Sequence, residues 1–200
     1  MMRLVVPIVA LVLGGLTPAF ADPSPAVPPA AAEAASPPKT ASQILDELFD
    51  RLAATEDPDE SAGIVAAIER AWSRSGSDTA DLLMSRAEQA MQSKDYPLAL
   101  KLLDATVALD PGWAQAWNQR ATVRFESGDE RGSMADIAET LKRDPRHFGA
   151  LAGMGEMLDD AGLKDQALRV YERALAIAPH YAPLRERFDQ LKASAAGRSL

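Results

Sequence analysis

From residue 80 onward, apolar side chains return in groups of about fourteen residues, with bulky and small positions at helical rather than alternating spacing. Leu83, Trp117 and Leu151 stand 34 residues apart. So do the small residues Ala87, Ala121 and Gly155, and the small residues Ala99, Ser133 and Ala167. Leu103, Ile137 and Tyr171 form a further bulky column, Thr106, Thr140 and Ala174 a further small one, and Pro111, Pro145 and Pro179 close each period. Every block breaks in its middle, at Lys94-Asp95, Gly128-Asp129 and Gly162-Leu163, which predicts two helices per block over 80–113, 114–147 and 148–181. Glycine takes the left-handed conformation that ends a helix at little cost, and proline pushes the residue before it away from helical angles. The small columns let paired helices approach closely, and the large ones fill the space between blocks. A single pair cannot bury its apolar face alone; a stack of pairs can.

These columns resemble the tetratricopeptide repeat, a helix-turn-helix unit of period 34. Trp117, Gly155, Ala99, Ala167, Tyr171, Ala174, Pro111, Pro145 and Pro179 carry the match over 80–181. Thr106 and Thr140 replace Ala, Ser133 replaces Ala, and Arg86 and Arg120 stand where an apolar residue is usual. The resemblance implies an all-α fold, a right-handed superhelix (α-solenoid) of about three repeats. Trp117, Ala121, Gly155, Ala167, Tyr171, Pro145 and Pro179 are then structural, with Trp117 filling a seam between blocks. It also implies a concave wall lined by the first helix of each block. The matching columns here hold eighteen residues, six of them acidic and none basic. Met84, Glu88, Met91, Asn118, Thr122, Phe125 and Glu156 are the candidate partner-binding residues among them. Asn118 stands where a clamp for an acidic tail would need lysine, so a neutral or basic, partly apolar protein or peptide is the expected partner.

Before the repeats, Ile44, Leu45, Leu48, Phe49 and Leu52 make one helical stripe, and Ile64, Val65, Ile68 and Trp72 another. Asp57-Pro58-Asp59-Glu60 between them reads as a helix start, with Asp57 as N-cap and Glu60 reaching back to it. Phe49 lies 34 before Leu83, so 41–79 reads as a degenerate repeat-like pair, expected to pack on the first block through Trp72. After the repeats, Pro183 opens a half-polar helix with Leu184, Phe188 and Leu191 on one side. The segment 182–200 should therefore cap the stack and fray beyond Ala193.

The first 21 residues pair Arg3 with an apolar run over 4–16, too short to span a bilayer, and Ala19-Phe20-Ala21 offers a cleavage site. The expectation is a signal peptide and a periplasmic product with no membrane span after cleavage. Residues 22–40 hold six prolines and read as an extended, disordered linker.

Composition then removes whole classes of chemistry. A net charge of −8 argues against nucleic acid as partner. The absence of cysteine rules out disulfides, thiolate metal sites and a cysteine nucleophile. His147 and His180 are the two histidines; both follow a repeat-ending proline and read as turn residues rather than catalytic bases. No catalytic motif, cofactor fingerprint or metal spacing is present, so no cofactor and no enzymatic activity are expected. Arg86 and Arg120 allow two roles: ion pairs with Asp104, Asp136, Asp110 or Asp144 on the second helices, or reception of a ligand's carboxylate or phosphate at the groove edge. Together these features predict a non-catalytic periplasmic scaffold or adaptor that binds a peptide or protein. The alternative is an accessory subunit presenting another polypeptide's substrate to an envelope enzyme or maturation complex.

Overall fold

The computed structural model describes residues 39–196; the signal segment 1–21, nearly all of the linker and the last four residues lie outside it. Helices α1 (Ala41–Ala54), α2 (Pro58–Trp72), α3 (Asp78–Gln92), α4 (Tyr96–Leu109), α5 (Ala114–Glu126), α6 (Glu130–Arg143), α7 (Phe148–Asp160), α8 (Lys164–Ile177) and α9 (Ala182–Ala196) follow one another, with no strand among the described residues. Pairs α3–α4, α5–α6 and α7–α8 are the three repeats of an all-helical solenoid. Helix α9 covers the far end, burying Leu184 and Leu191, and extends to Ala196.

Local chemistry fixes the helix ends at the repeat interval. Lys94, Gly128 and Gly162 all have positive φ, at 57°, 87° and 75°, so the same left-handed turn joins the two helices of every repeat. Asp95 and Asp129 then cap α4 and α6 by accepting backbone N–H groups of Leu98 and Gly132. At α7 the cap is His147, whose ring Nδ1 accepts the N–H of Ala150 at 3.1 Å. Asp57 caps α2 with Pro58 at N1, as the sequence predicts, but Glu60 does not return to it. Glu60 instead accepts the Thr55 hydroxyl at 2.8 Å and faces Arg51, tying the hairpin turn shut.

Packing follows the columns. Ala99, Ala167, Thr106, Thr140, Leu103 and Leu151 are fully buried. Threonine replaces alanine without an orphaned hydroxyl, because Thr106 and Thr140 donate to the Leu102 and Asp136 carbonyls one turn back. Gly155 marks the closest approach: a Cβ there would lie 2.7 Å from the Tyr171 ring. Trp117 packs, partly buried, against the core shared by repeat 1 and the start of repeat 2. Its indole lies between the guanidinium groups of Arg120 and Arg143, at 4.8 and 4.3 Å from the ring centre, and donates to the Pro111 carbonyl.

The N-terminal pair departs from expectation. Trp72 meets the first block through its carbonyl, which accepts the Trp113 indole N–H at 2.7 Å. Its ring stacks on His147 at 4.0 Å, touches Phe148, and donates to Asp144 at 2.8 Å. Arg146 reaches back to Asp46 and lies over Phe49. Phe49, Leu52, Ile64, Val65 and Ile68 therefore share one core with α7, α8 and α9. The pair lies along the turns that join successive repeats instead of forming a fourth layer before the first.

Candidate partner-binding groove

The first helices of repeats 2 and 3, α5 and α7, enclose a cleft of about 160 Å³. Asn118, Thr122 and Phe125 come from α5, Glu156 from α7, and Ile137 and Met157 close the bottom. The helical period places them: 118, 122 and 125 lie one turn apart on the same side of α5. On the α7 side Gly149 and Gly153 leave one stretch of wall as bare backbone, ahead of Glu156 and Met157. Across α7 a wider hollow of about 580 Å³ continues toward α9, lined by Ala152, Glu156, Tyr181 and Arg187 and by Glu69 of α2. A third recess of about 240 Å³ runs from Asn118 and Gln115 to Trp72 and Glu69. Helix α2 thereby forms a wall beside the N-terminal ends of α5 and α7.

Four of the seven sequence-derived candidates, Asn118, Thr122, Phe125 and Glu156, converge on the first cleft. The three on α3 do not line it. Met84 is corrected outright: at 3% exposure it belongs to the core of repeat 1 and presents nothing to a partner. Met91 is half-buried against that same core, and Glu88 is half-buried on α3. Glu69, Tyr181 and Arg187 were absent from the sequence candidates, because nothing local in α2 or α9 indicates that either borders α7.

The groove is acidic. Glu126 and Glu156 line the first cleft with no basic residue among its walls. Arg187, in the wider hollow, faces Glu156 and Asp159 at 3.9 Å each. Burial raises the pKa of the Tyr171 phenol above its ordinary value, against the opposing hydrogen bond from Arg187. Burial, then the neighbouring Glu69 carboxylate, raises that of Tyr181.

Both ring nitrogens of His147 have partners. Nδ1 holds the α7 cap, Nε2 lies 2.9 Å from the Gln115 side-chain oxygen, and burial pulls its pKa down to about 4. Gln115 Oε1 can only accept, so the ring proton sits on Nε2. No group of three or more His, Asp or Glu among the described residues could hold a metal ion. No described helix is long and apolar enough to cross a membrane.

The two arginines separate. Arg120 donates to Asp136 of its own repeat and to Asp104 of the preceding one, each at 2.8 Å, and Arg124 adds a contact to Asp136 at 2.9 Å. The Asp136 hydrogen bond, the largest cause, raises the pKa of Arg120 against the cost of burial. Arg120 is therefore structural. Arg86 is exposed and has no ion-pair partner among the described residues.

No protein-family model matches the chain. A TPR repeat-containing protein of Rhizobium etli is 42% identical over 164 residues, covering 82% of this chain and 79% of that one. The small glutamine-rich tetratricopeptide repeat-containing protein 2 of Mycosarcoma maydis is 24% identical over 100 residues, half of this chain and 28% of that one. Among solved structures, the first TPR of Spaghetti (RPAP3) bound to the HSP90 peptide SRMEEVD superposes with a TM-score of 0.56. The identity there is 17%, and the match covers 60% of this chain and 95% of that one. The Yersinia enterocolitica type III secretion chaperone SycD, in complex with a peptide of the translocator YopD, gives 0.57 at 21% identity over 62% and 97%.

Proposed function

The chain belongs to the tetratricopeptide repeat family, and from that premise we propose that it is an exported, non-catalytic adaptor holding a peptide or protein segment in its concave groove. The observation that carries this reading is the cleft between α5 and α7. Gly149 and Gly153 let a ligand backbone approach, while Asn118 and Thr122 offer hydrogen bonds and Phe125 and Met157 offer apolar contact. Glu126, Glu156 and Glu69 favour a neutral or basic segment over an acidic one. The SRMEEVD peptide held by the Spaghetti domain carries three acids, and these walls would repel such a ligand. Arg3, the apolar run over 4–16 and Ala19-Phe20-Ala21 support delivery to a periplasm.

A photo-crosslinking amino acid placed at Thr122, and separately at the exposed Glu172 of α8, tests the groove in the full chain. Cell envelope fractions should yield a discrete adduct from position 122 and none from position 172. Identical adducts from both positions, or recovery of the protein in the cytoplasmic fraction, would overturn the proposal.

A further inference from the structure

Repeats 2 and 3 each press one face of their helices onto the repeat before, and in repeat 1 that face is open. Leu82 on α3 and Leu98 on α4 are 55% and 45% exposed. With Arg86, Gln89 and Leu102 they line a hollow of about 620 Å³. Along α4 the apolar stripe continues through Ala105 to Leu109, itself 50% exposed, with alternating steps of four and three residues.

The repeat columns indicate what fits there. In Leu82's column the later repeats carry Ala116 and Ala150, exposed by 0% and 1%. A further repeat stacked in the same way would meet a leucine where those junctions admit only alanine. Nor does the chain's own N-terminal pair suit the place: 34 residues before Asp104 stands Arg70, another cation, which would face Arg86. Arg120, in Arg86's column, supplies the template. Its guanidinium reaches Asp104 on the second helix of the preceding repeat at 2.8 Å and Asp136 on its own. Arg86 has Leu102 where Arg120 has Asp136, so the carboxylate of that column is missing; Asp95 lines the same hollow, but no carboxylate among the described residues forms an ion pair with Arg86, and its charge stands beside Leu82, Leu98 and Leu102.

We propose that this open face docks a single amphipathic helix of another protein, with its apolar stripe on Leu82, Leu98 and Leu102 and a carboxylate on Arg86. Helical peptides of about 20 residues, with leucine at heptad a and d positions and one flanking residue set to Glu, Gln or Lys, are the probes. Fluorescence anisotropy with the full chain should rank the Glu peptide about tenfold tighter than the Gln peptide, with the Lys peptide weakest. Arg86→Met should abolish that ranking and keep the apolar binding, whereas Leu98→Glu should abolish binding of all three. Both positions are exposed, so circular dichroism should record unchanged melting. Equal binding of the three peptides, no binding, or binding that survives Leu98→Glu would overturn the proposal. A dimer dissolved by Leu98→Glu in light scattering would make a second copy the occupant and would overturn it as well.

Discussion

The N-terminal helical pair and the three repeats are both antiparallel hairpins with apolar inner faces, yet they are held by different means. A repeat is held by interlocking columns: Gly155 receives the Tyr171 ring, and Ala116 and Ala150 let the next layer close. The pair is held by aromatic stacking and a few hydrogen bonds: Trp72 on His147, its N–H on Asp144, its carbonyl under Trp113. The first mode propagates, because every repeat offers its successor the same surface. The second ends, because Trp72 and His147 occur once in that relation. The solenoid therefore gains a side wall along its groove and keeps an open end at repeat 1.

The largest separation of the two regions should come from Trp72→Ala, which removes a side chain only 7% exposed. A loss of about 3–5 kcal/mol is expected, confined to the pair. Limited proteolysis between residues 73 and 77 should then release α1–α2 from repeats that still melt cooperatively; one unchanged transition would erase the distinction. Asp136→Ala strikes the stack instead. It strips the 2%-exposed carboxylate from Arg120 and Arg124, at a cost of about 3–5 kcal/mol in denaturant unfolding. Arg86→Ala in the same assay should change stability by less than about 0.5 kcal/mol.

Acid should act on the junction between the regions. With its pKa near 4 in the fold and the ordinary value near 6.5 in the unfolded chain, His147 takes up its proton first when unfolded. Its contribution is complete above pH 6.5 and is lost as pH falls toward 4, by up to about 3 kcal/mol. His147→Asn keeps a helix cap and cannot titrate, so its melting temperature should fall less over that window; parallel curves would contradict the assignment. Gly155→Ala, despite better helix propensity, should cost about 1–3 kcal/mol, since the ring it meets is itself buried. Trp117→Ala should cost about 1–2 kcal/mol for two cation–π contacts on a partly buried indole. A loss above about 3 kcal/mol in thermal unfolding would show that its packing in the seam outweighs those contacts.

Much of this protein was legible in order along the chain. Periodicity located the six repeat helices, and turn chemistry marked their ends, because both depend on neighbours within a few residues. The groove was half legible. Asn118, Thr122, Phe125 and Glu156 follow from fixed columns, but Met84 turned inward, since a side chain at the margin of a helix face is buried or exposed by how far the next helix rotates.

What the sequence determined by itself is the helical stack: 34-residue spacing, left-handed turns at Gly128 and Gly162, a break at Lys94-Asp95, and small residues where helices touch. Tertiary structure alone decided where the N-terminal pair goes. Its stripe of Phe49, Ile64, Ile68 and Trp72 would satisfy burial against any apolar surface, since the hydrophobic effect has no direction. Only the ring of His147, the carboxylate of Asp144 and the indole of Trp113, brought together by the stack, made the edge the place where Trp72 could bury its polar atoms with partners.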